Sequence, residues 1–324
     1  MTEALGFVAI GRNEGDRLKA CLTSLVAASS RVVYVDSASS DDSVAFARGL
    51  GVDVVDLDMT APFTAARARN AGYEALIARW PDVETAMFID GDCALAADFP
   101  SAALAALAAQ DDIGVVTGRC REARRDATIY NTLCDMEWDG PIGEIEACGG
   151  IFVARCAAFD AAGGFDPDVI AAEDDEFCIR VRENGFRIIR IDADMCFHDA
   201  AMTRFSQWWT RAARAGHAFA QVGAMHRGYF AAERRRALAW GLFLPAIAII
   251  AAPVTNGLSL GLFALYPVSY WRTRRRLVRD GAAPRDAGLY ARFLILSKFP
   301  AVLGLLSYWR KKLTGRQIQI VEYK

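Results

Sequence analysis

No CxxC pair occurs among the eight cysteines, no apolar run extends unbroken over the ~20 residues a bilayer-spanning helix needs, and neither sign of charge dominates. The scattered cysteines lack metal-ligand spacing, which argues against a structural zinc and fits reduced thiols. With a formal net charge of −2 the chain is not built to coat a polyanion, so no nucleic-acid partner is expected. The opening MTEALGFVAIGRNEGD has an apolar run too short, and flanks too acidic, for a signal peptide. It reads as a first strand, and the chain is expected to work in the cytoplasm.

What is present is apolar and periodic. Hydrophobic side chains make up 53% of the 324 residues, enough for one large or two modest domains. Leu5–Gly11, Arg31–Asp36, Val52–Leu57, Thr85–Asp90 and Ile113–Gly118 are short β-rich runs without polar alternation, the pattern of buried parallel strands. Asp16–Ala28, Ser40–Leu50 with Ser40 as N-cap, Phe63–Arg79 and Ala97–Ala109 have helical spacing. Alternating strands and helices predict a doubly wound α/β sheet. After Arg119 the rhythm breaks, and ACGGIFVAR (Ala147–Arg155), the turn GGFDPD, EDDEFCIRVRENG (Glu173–Gly185) and a strand over Phe186–Ile191 suggest a second half added to the first.

Carboxylates concentrate before about Asp199 and arginines after it. Near Ala237 the composition shifts to two apolar runs separated by Thr255-Asn256-Gly257 and flanked by Arg234-Arg235-Arg236 and by Arg272 with Arg274-Arg275-Arg276. Arginines at both outer ends put both ends on the cytoplasmic face, so the pair crosses a membrane twice or not at all. Pro245, Pro253 and Pro267 interrupt the runs, while Trp240, Trp271 and Trp309 stand near run ends. A third stretch, Ala287–Lys312, carries Arg292 and Lys298 and reads as an interfacial amphipathic helix rather than a span.

The stretch MFIDGDCA (Met87–Ala94) ends an apolar run on two carboxylates. In an extended strand residues i and i+2 face one side, so Asp90 and Asp92 are expected to share one spot, with Gly91 allowing close approach of a ligand. Buried charge at a strand end calls for a cation. Ligands of doubly wound sheets bind at the carboxyl ends of strands, where Gly11-Arg12-Asn13-Glu14, Asp36 and Asp90–Asp92 all fall.

The ordered set AIGRNEGDRL, VDSASSDDS, AARARNAG, FIDGDC, GGFDPD and EDDEFCIRVRENG resembles the inverting family-two glycosyltransferases over about Leu5–Asp199. The resemblance implies a GT-A fold, Rossmann-like with a mostly parallel central sheet flanked by helices. A catalytic domain over 1–228 would divide into a nucleotide-sugar half (1–119) and an acceptor half (120–228), followed by a helical membrane-associated region (229–324). It implies donor binding by Asn13, Glu14, Asp36 (toward the base), Arg69 (near the diphosphate) and Asp90 (near the ribose or a metal-bound water). Mg2+ or Mn2+ would be held by Asp92, with Asp90 close by and His198 as a further metal or diphosphate ligand. Asp174, second acid of Glu173-Asp174-Asp175-Glu176, would be the base. Glu173, Gly149, Gly150 and Trp208 would lie on the acceptor side, with packing or membrane docking as the other roles open to Trp208.

Processive members carry QxxRW, whereas this chain has Gln207-Trp208-Trp209-Thr210-Arg211, which points to one sugar per encounter. The implied reaction moves sugar from a UDP- or GDP-sugar to a lipid-linked saccharide at the inner face of the cell membrane. Two alternatives remain: transfer to a polyprenyl phosphate, and an inactive membrane scaffold that keeps the fold. A sugar-nucleotide pyrophosphorylase is disfavoured, because no glycine- and arginine-rich opening loop is present to cradle a triphosphate.

Overall fold

Three apolar runs, β1 (Leu5–Gly11), β2 (Val32–Asp36) and β4 (Thr85–Asp90), are buried almost end to end, so helices must cover both sheet faces. The structure is a computed structural model that describes residues 4–315. The other strands are β3 (Asp53–Asp56), β5 (Cys93–Leu95), β6 (Ile113–Glu122), β7 (Gly143–Glu144), β8 (Phe152–Arg155) and β9 (Arg187–His198). They pair in the order β3-β2-β1-β4-β8-β6-β9-β5, with β7 beside β9. The sheet is mixed rather than mostly parallel. Its first half (β3, β2, β1, β4) is parallel, β8 inserts antiparallel between β4 and β6, and β5 and β7 run antiparallel to β9. The expected buried strand at Val52–Leu57 shortens to an edge strand with half-exposed valines between exposed aspartates, because β3 has a neighbour on one side only.

Register sets the functional edge. Gly11 pairs with Asp36 and Ile10 with Asp90, so β1, β2 and β4 end level with one another. β6 and β9 run past their expected ends at Gly118 and Ile191. They pair in parallel through several bulges, which bring Glu122 opposite His198, while β5 sets Cys93 opposite His198 from the other side. Thr64 caps the helix Ala65–Arg79 by accepting from Arg67 N–H at 3.1 Å. Ser40 does not cap a helix, because its N–H is held by Asn13 Oδ1 at 2.7 Å and the helix begins at Ser43.

The chain divides into two compact units, one of residues up to Arg125 with Glu137–Ala200, the other of Asp126–Met136 with the residues from Ala201 on. In the second unit the helix Phe205–Met225 packs along the helix Lys298–Thr314. The contact is close: a Cβ on Gly304 would come within 2.0 Å of Ala213 O, so backbone meets backbone there. Among the described residues one helix, Pro284–Thr314, is long and apolar enough to cross a membrane by length and composition. It contains the stretch expected to lie at an interface, and the apolar pair before it supplies no helix of that kind. That pair breaks into a π turn (Ala239–Phe243), the helix Leu244–Ile250 and a 3-10 segment (Leu258–Ala264) before the helix Leu265–Arg279.

His217 sits buried in the contact between Phe205–Met225 and Lys298–Thr314, edge-on to Tyr308 and with Nε2 lacking a hydrogen-bond partner. Burial, reinforced by the charge of Lys311, pushes its pKa down to about 4. An unfolded histidine takes up its proton near 6.5, so the unfolded state binds more protons below that pH, and native stability falls from about pH 6.5 toward pH 4. The loss is on the order of 3 kcal/mol, from the pKa difference at 1.36 kcal/mol per unit. Thermal melting of the parent and His217→Leu across that range should show the steeper decline in the parent; parallel curves would mean that His217 titrates normally.

Candidate active site

Arg69 is among the largest fully buried side chains of the described residues. It projects from the helix Ala65–Arg79, and its guanidinium donates from Nη2 to Asp90 Oδ1 (2.8 Å) and from Nη1 to Glu173 Oε1 (2.6 Å). Burial opposes the charge, but the two carboxylates overcome this and raise the arginine pKa above its ordinary value. Phe165 lies under the guanidinium at 5.5 Å. Gly150 makes room for it, since a Cβ there would come within 2.5 Å of Arg69 Nη2. Gly149, at φ +76°, adopts the left-handed backbone that L side chains avoid. Arg69, Asp90, Glu173 and Gly150 thus form one cluster.

The second cluster centres on Asp92. β4 stops at Asp90 and Gly91-Asp92 forms a turn, pinned by Gly91 N–H to Ile10 O at 2.8 Å. The two aspartates are therefore not i and i+2 of one extended strand as the sequence suggested. Asp90 is paired with Arg69, and Asp92 Oδ2 faces His198 Nε2 at 3.4 Å. His198 Nδ1 meets Glu122 Oε2 at 3.1 Å, Glu122 Oε1 accepts from Ala200 N–H at 3.1 Å, and Trp138 stands edge-on to the imidazole with centroids 4.3 Å apart. Burial acts to lower the histidine pKa, but Asp92 and Glu122 reverse this and hold it at about 10.

Ligand atoms of Asp92, Cys93 and His198 all lie within 4.8 Å of one another. Burial pushes the Cys93 thiol well above its ordinary pKa, and a thiol is a soft donor that suits Mg2+ or Mn2+ poorly. A carboxylate and an imidazole remain, a set that fits Mg2+ or Mn2+, hard ions that take few protein ligands and leave positions for water and phosphate oxygens. Asp90 is not part of this group.

Asp36 is buried, accepting from Tyr34 O–H (2.8 Å) and Ser39 N–H (2.7 Å), which fixes its carboxylate at the end of β2. Asn13, at φ +54°, accepts Ser40 N–H at its Oδ1 and donates its own backbone N–H to Ser39 Oγ, so it shapes the loop beside Asp36. Glu14 pairs with Arg17 at 2.6 Å. Trp208 is not in either cluster: it is buried against Phe205 and Phe293 within the second unit, a packing position. Sequence reasoning missed Tyr34, Trp138 and Glu122; the apolar-run pattern ended β6 at Gly118, short of Glu122.

The first turn of the helix Glu173–Glu183 holds four acids. Glu173 goes to Arg69, and Glu176 accepts from Arg180 Nε at 2.8 Å. Asp174 is raised well above the ordinary carboxylate range, first by desolvation and then by the charges of Asp175 and Glu173. Asp174 Oδ2 lies 4.0 Å from where a Cβ on Gly149 would be.

A parallel half-sheet ending in carboxylates, joined through an antiparallel strand to a second half that returns a histidine to the same edge, is the GT-A fold. The sequence profile described as Glycosyl transferase family 2 matches residues 8–144, and over that span the chain is similar to that family. Among solved structures, it is similar to the mannosyltransferase PcManGT from Pyrobaculum calidifontis in complex with GDP-Man and Mn2+. The TM-score is 0.64 at 20% identity, over 95% of this chain and 88% of that one. It is also similar to S. aureus TarS 1-349, with TM-score 0.51 and 14% identity over 98% of this chain and 95% of that one. No curated protein matches the chain by sequence.

Asp92→Ala should leave the circular dichroism of the chain unchanged and abolish Mn2+-dependent binding of nucleotide, measured by calorimetry. Unchanged binding would remove Asp92 from the metal site.

Proposed function

We propose that the protein is a metal-dependent inverting glycosyltransferase that adds one sugar per encounter. The donor is a UDP- or GDP-sugar and the acceptor a lipid-linked saccharide at the cytoplasmic face of the cell membrane, in the assembly of a surface polysaccharide. The observation that carries this reading is Asp174, an acid whose proton affinity is raised beside the Arg69–Asp90–Glu173 cluster.

An acceptor hydroxyl is a weak nucleophile at neutral pH, and a carboxylate of ordinary pKa is a weak base. Desolvation and like charge make Asp174 a stronger one, able to take the hydroxyl proton as the new bond to the anomeric carbon forms opposite the departing diphosphate. Asp36 would accept from the nucleotide base through its remaining lone pairs, held in place by Tyr34 and Ser39. Arg69 keeps Asp90 and Glu173 in register, so the donor edge and the base helix move as one piece. Asp92 and His198 would hold Mg2+ or Mn2+, which supplies Lewis-acid neutralisation of the leaving diphosphate. The Mn2+ and GDP-Man named for PcManGT support the cofactor and the donor class.

Membrane attachment is supported by the second unit. Ile250, Val254 and Leu258 are 75%, 84% and 83% exposed, and Ile247, Ile249, Val268 and Trp271 are at least half exposed, an apolar surface larger than water-facing proteins usually leave. Arg275, Arg276 and Arg279, all exposed on the helix Leu265–Arg279, add attraction to anionic headgroups.

Asp174→Asn keeps size and removes basicity, so donor binding should persist while transfer slows by roughly 10²- to 10⁴-fold. In the parent enzyme the base must be deprotonated, so kcat/KM should fall as the pH drops through an apparent pKa above the ordinary carboxylate range, and that limb should vanish in the variant. Parental rates in Asp174→Asn would move the base elsewhere. Full-length protein should float with vesicles containing anionic lipid, and a triple change of Ile250, Val254 and Leu258 to Asp should release it; equal flotation of the two would sink the membrane reading.

A further inference from the structure

We propose that Glu122 is a positioning residue for the metal site, acting through His198, which rests on the reading of Asp92 and His198 as metal ligands. Glu122 ends β6, directly opposite His198 on β9, and its side chain is completely buried. Its two carboxylate oxygens meet two different groups: Oε2 lies 3.1 Å from His198 Nδ1, and Oε1 accepts Ala200 N–H at 3.1 Å. The backbone turns back on the same strand end, where Ala123 N–H donates to His198 O at 2.7 Å. The imidazole is thus held at one nitrogen, with Trp138 against its ring, and its other nitrogen is aimed at Asp92.

A histidine can ligate through Nε2 only if that nitrogen keeps its lone pair, so the remaining ring proton must sit on Nδ1. Glu122 secures that arrangement, since a carboxylate is acceptor-only and receives both Nδ1–H and Ala200 N–H. An amide cannot. Glu122→Gln has one accepting oxygen for two donors. If the oxygen serves Ala200 N–H, the amide NH2 faces Nδ1 and drives the ring proton to Nε2, which occupies the lone pair a metal would need. If the oxygen serves Nδ1–H, the NH2 opposes Ala200 N–H and the end of β9 shifts. Either outcome weakens the metal site without touching a ligand. The same change removes the negative charge that makes Nδ1–H more polar and Nε2 more basic.

The test uses the full chain and Mn2+ alone, with affinity read by calorimetry or by the free-Mn2+ spin-resonance signal and compared with metal-free melting. Parent protein should bind Mn2+, and Glu122→Gln should bind it 10- to 100-fold more weakly. His198→Gln should lose affinity too. In that background Glu122→Gln should cost nothing more, because its effect passes through His198; a purely structural role would add its loss in full. Should Glu122→Gln fail to fold, Glu122→Asp, which retains the charge and retracts the oxygens, carries the same cycle. Parental Mn2+ affinity in a folded residue-122 variant, or additive losses in the cycle, would overturn the proposal while leaving the metal reading standing. Absence of Mn2+ binding by the parent protein would overturn both.

Discussion

Burial of one guanidinium is the constraint on which the first unit's carboxylate-rich edge depends. Arg69 is withdrawn from water, and a buried unpaired arginine is costly, so the fold must bring carboxylates to it. It does so from two distant parts of the chain: Asp90 from the end of β4 and Glu173 from the first turn of a helix more than eighty residues later. The planar fork of the guanidinium serves both at once, which a lysine could not. Gly150 follows from the same demand, since the guanidinium occupies the space a side chain would need. The end of β4, the Gly149-Gly150 loop and the first turn of the helix Glu173–Glu183 are thereby tied to one group.

The mixed topology explains why the two aspartates of MFIDGDCA part company. Parallel pairing of β1 with β2 and β4 brings Asp36 and Asp90 level, but a parallel sheet alone would leave Asp92 without a partner on the far side. The antiparallel contact of β5 with β9 supplies one, carrying His198 back to the turn just after Asp92. Asp90 neutralises Arg69 and Asp92 faces an imidazole, so one short motif serves two electrostatic tasks. A shared cation was the simplest reading of the sequence; the chain instead sets Asp90 against a guanidinium and Asp92 against an imidazole.

Legibility in the sequence followed burial. Leu5–Gly11 and Thr85–Asp90 have the limits expected of them because strands covered on both faces are apolar at every position, and the motif residues at their ends could be located by counting. Glu122 and the last turns of β9 were invisible for the converse reason. RCRE and DADMCFH mix charge with small and apolar residues, pair through bulges and are partly exposed, so no periodicity marks them as strand. Trp208 shows a different limit. Its environment is set by Phe293, more than eighty residues away, and nothing local separates a packed tryptophan from an acceptor platform. The span-length helix Pro284–Thr314 was obscured because Arg292 and Lys298 break its apolar pattern, although the two segments join into one helix at Ser297.

The four-acid turn shows how the structure narrows what a motif leaves open. A helix start favours carboxylates, so Glu173-Asp174-Asp175-Glu176 alone suggests only a well-placed helix terminus. Two of the four are then committed to guanidinium partners: Glu173 to Arg69 and Glu176 to Arg180. Asp174 sits in a desolvated place where the negative charges of Asp175 and Glu173 add to the effect of burial. Arg69 draws its proton affinity down, but by less than desolvation and the two neighbouring acids raise it. The arginine that fixes Glu173 therefore also fixes the negative charge beside Asp174. The ion pairs that hold the cluster together are the same ones that place negative charge beside the desolvated Asp174.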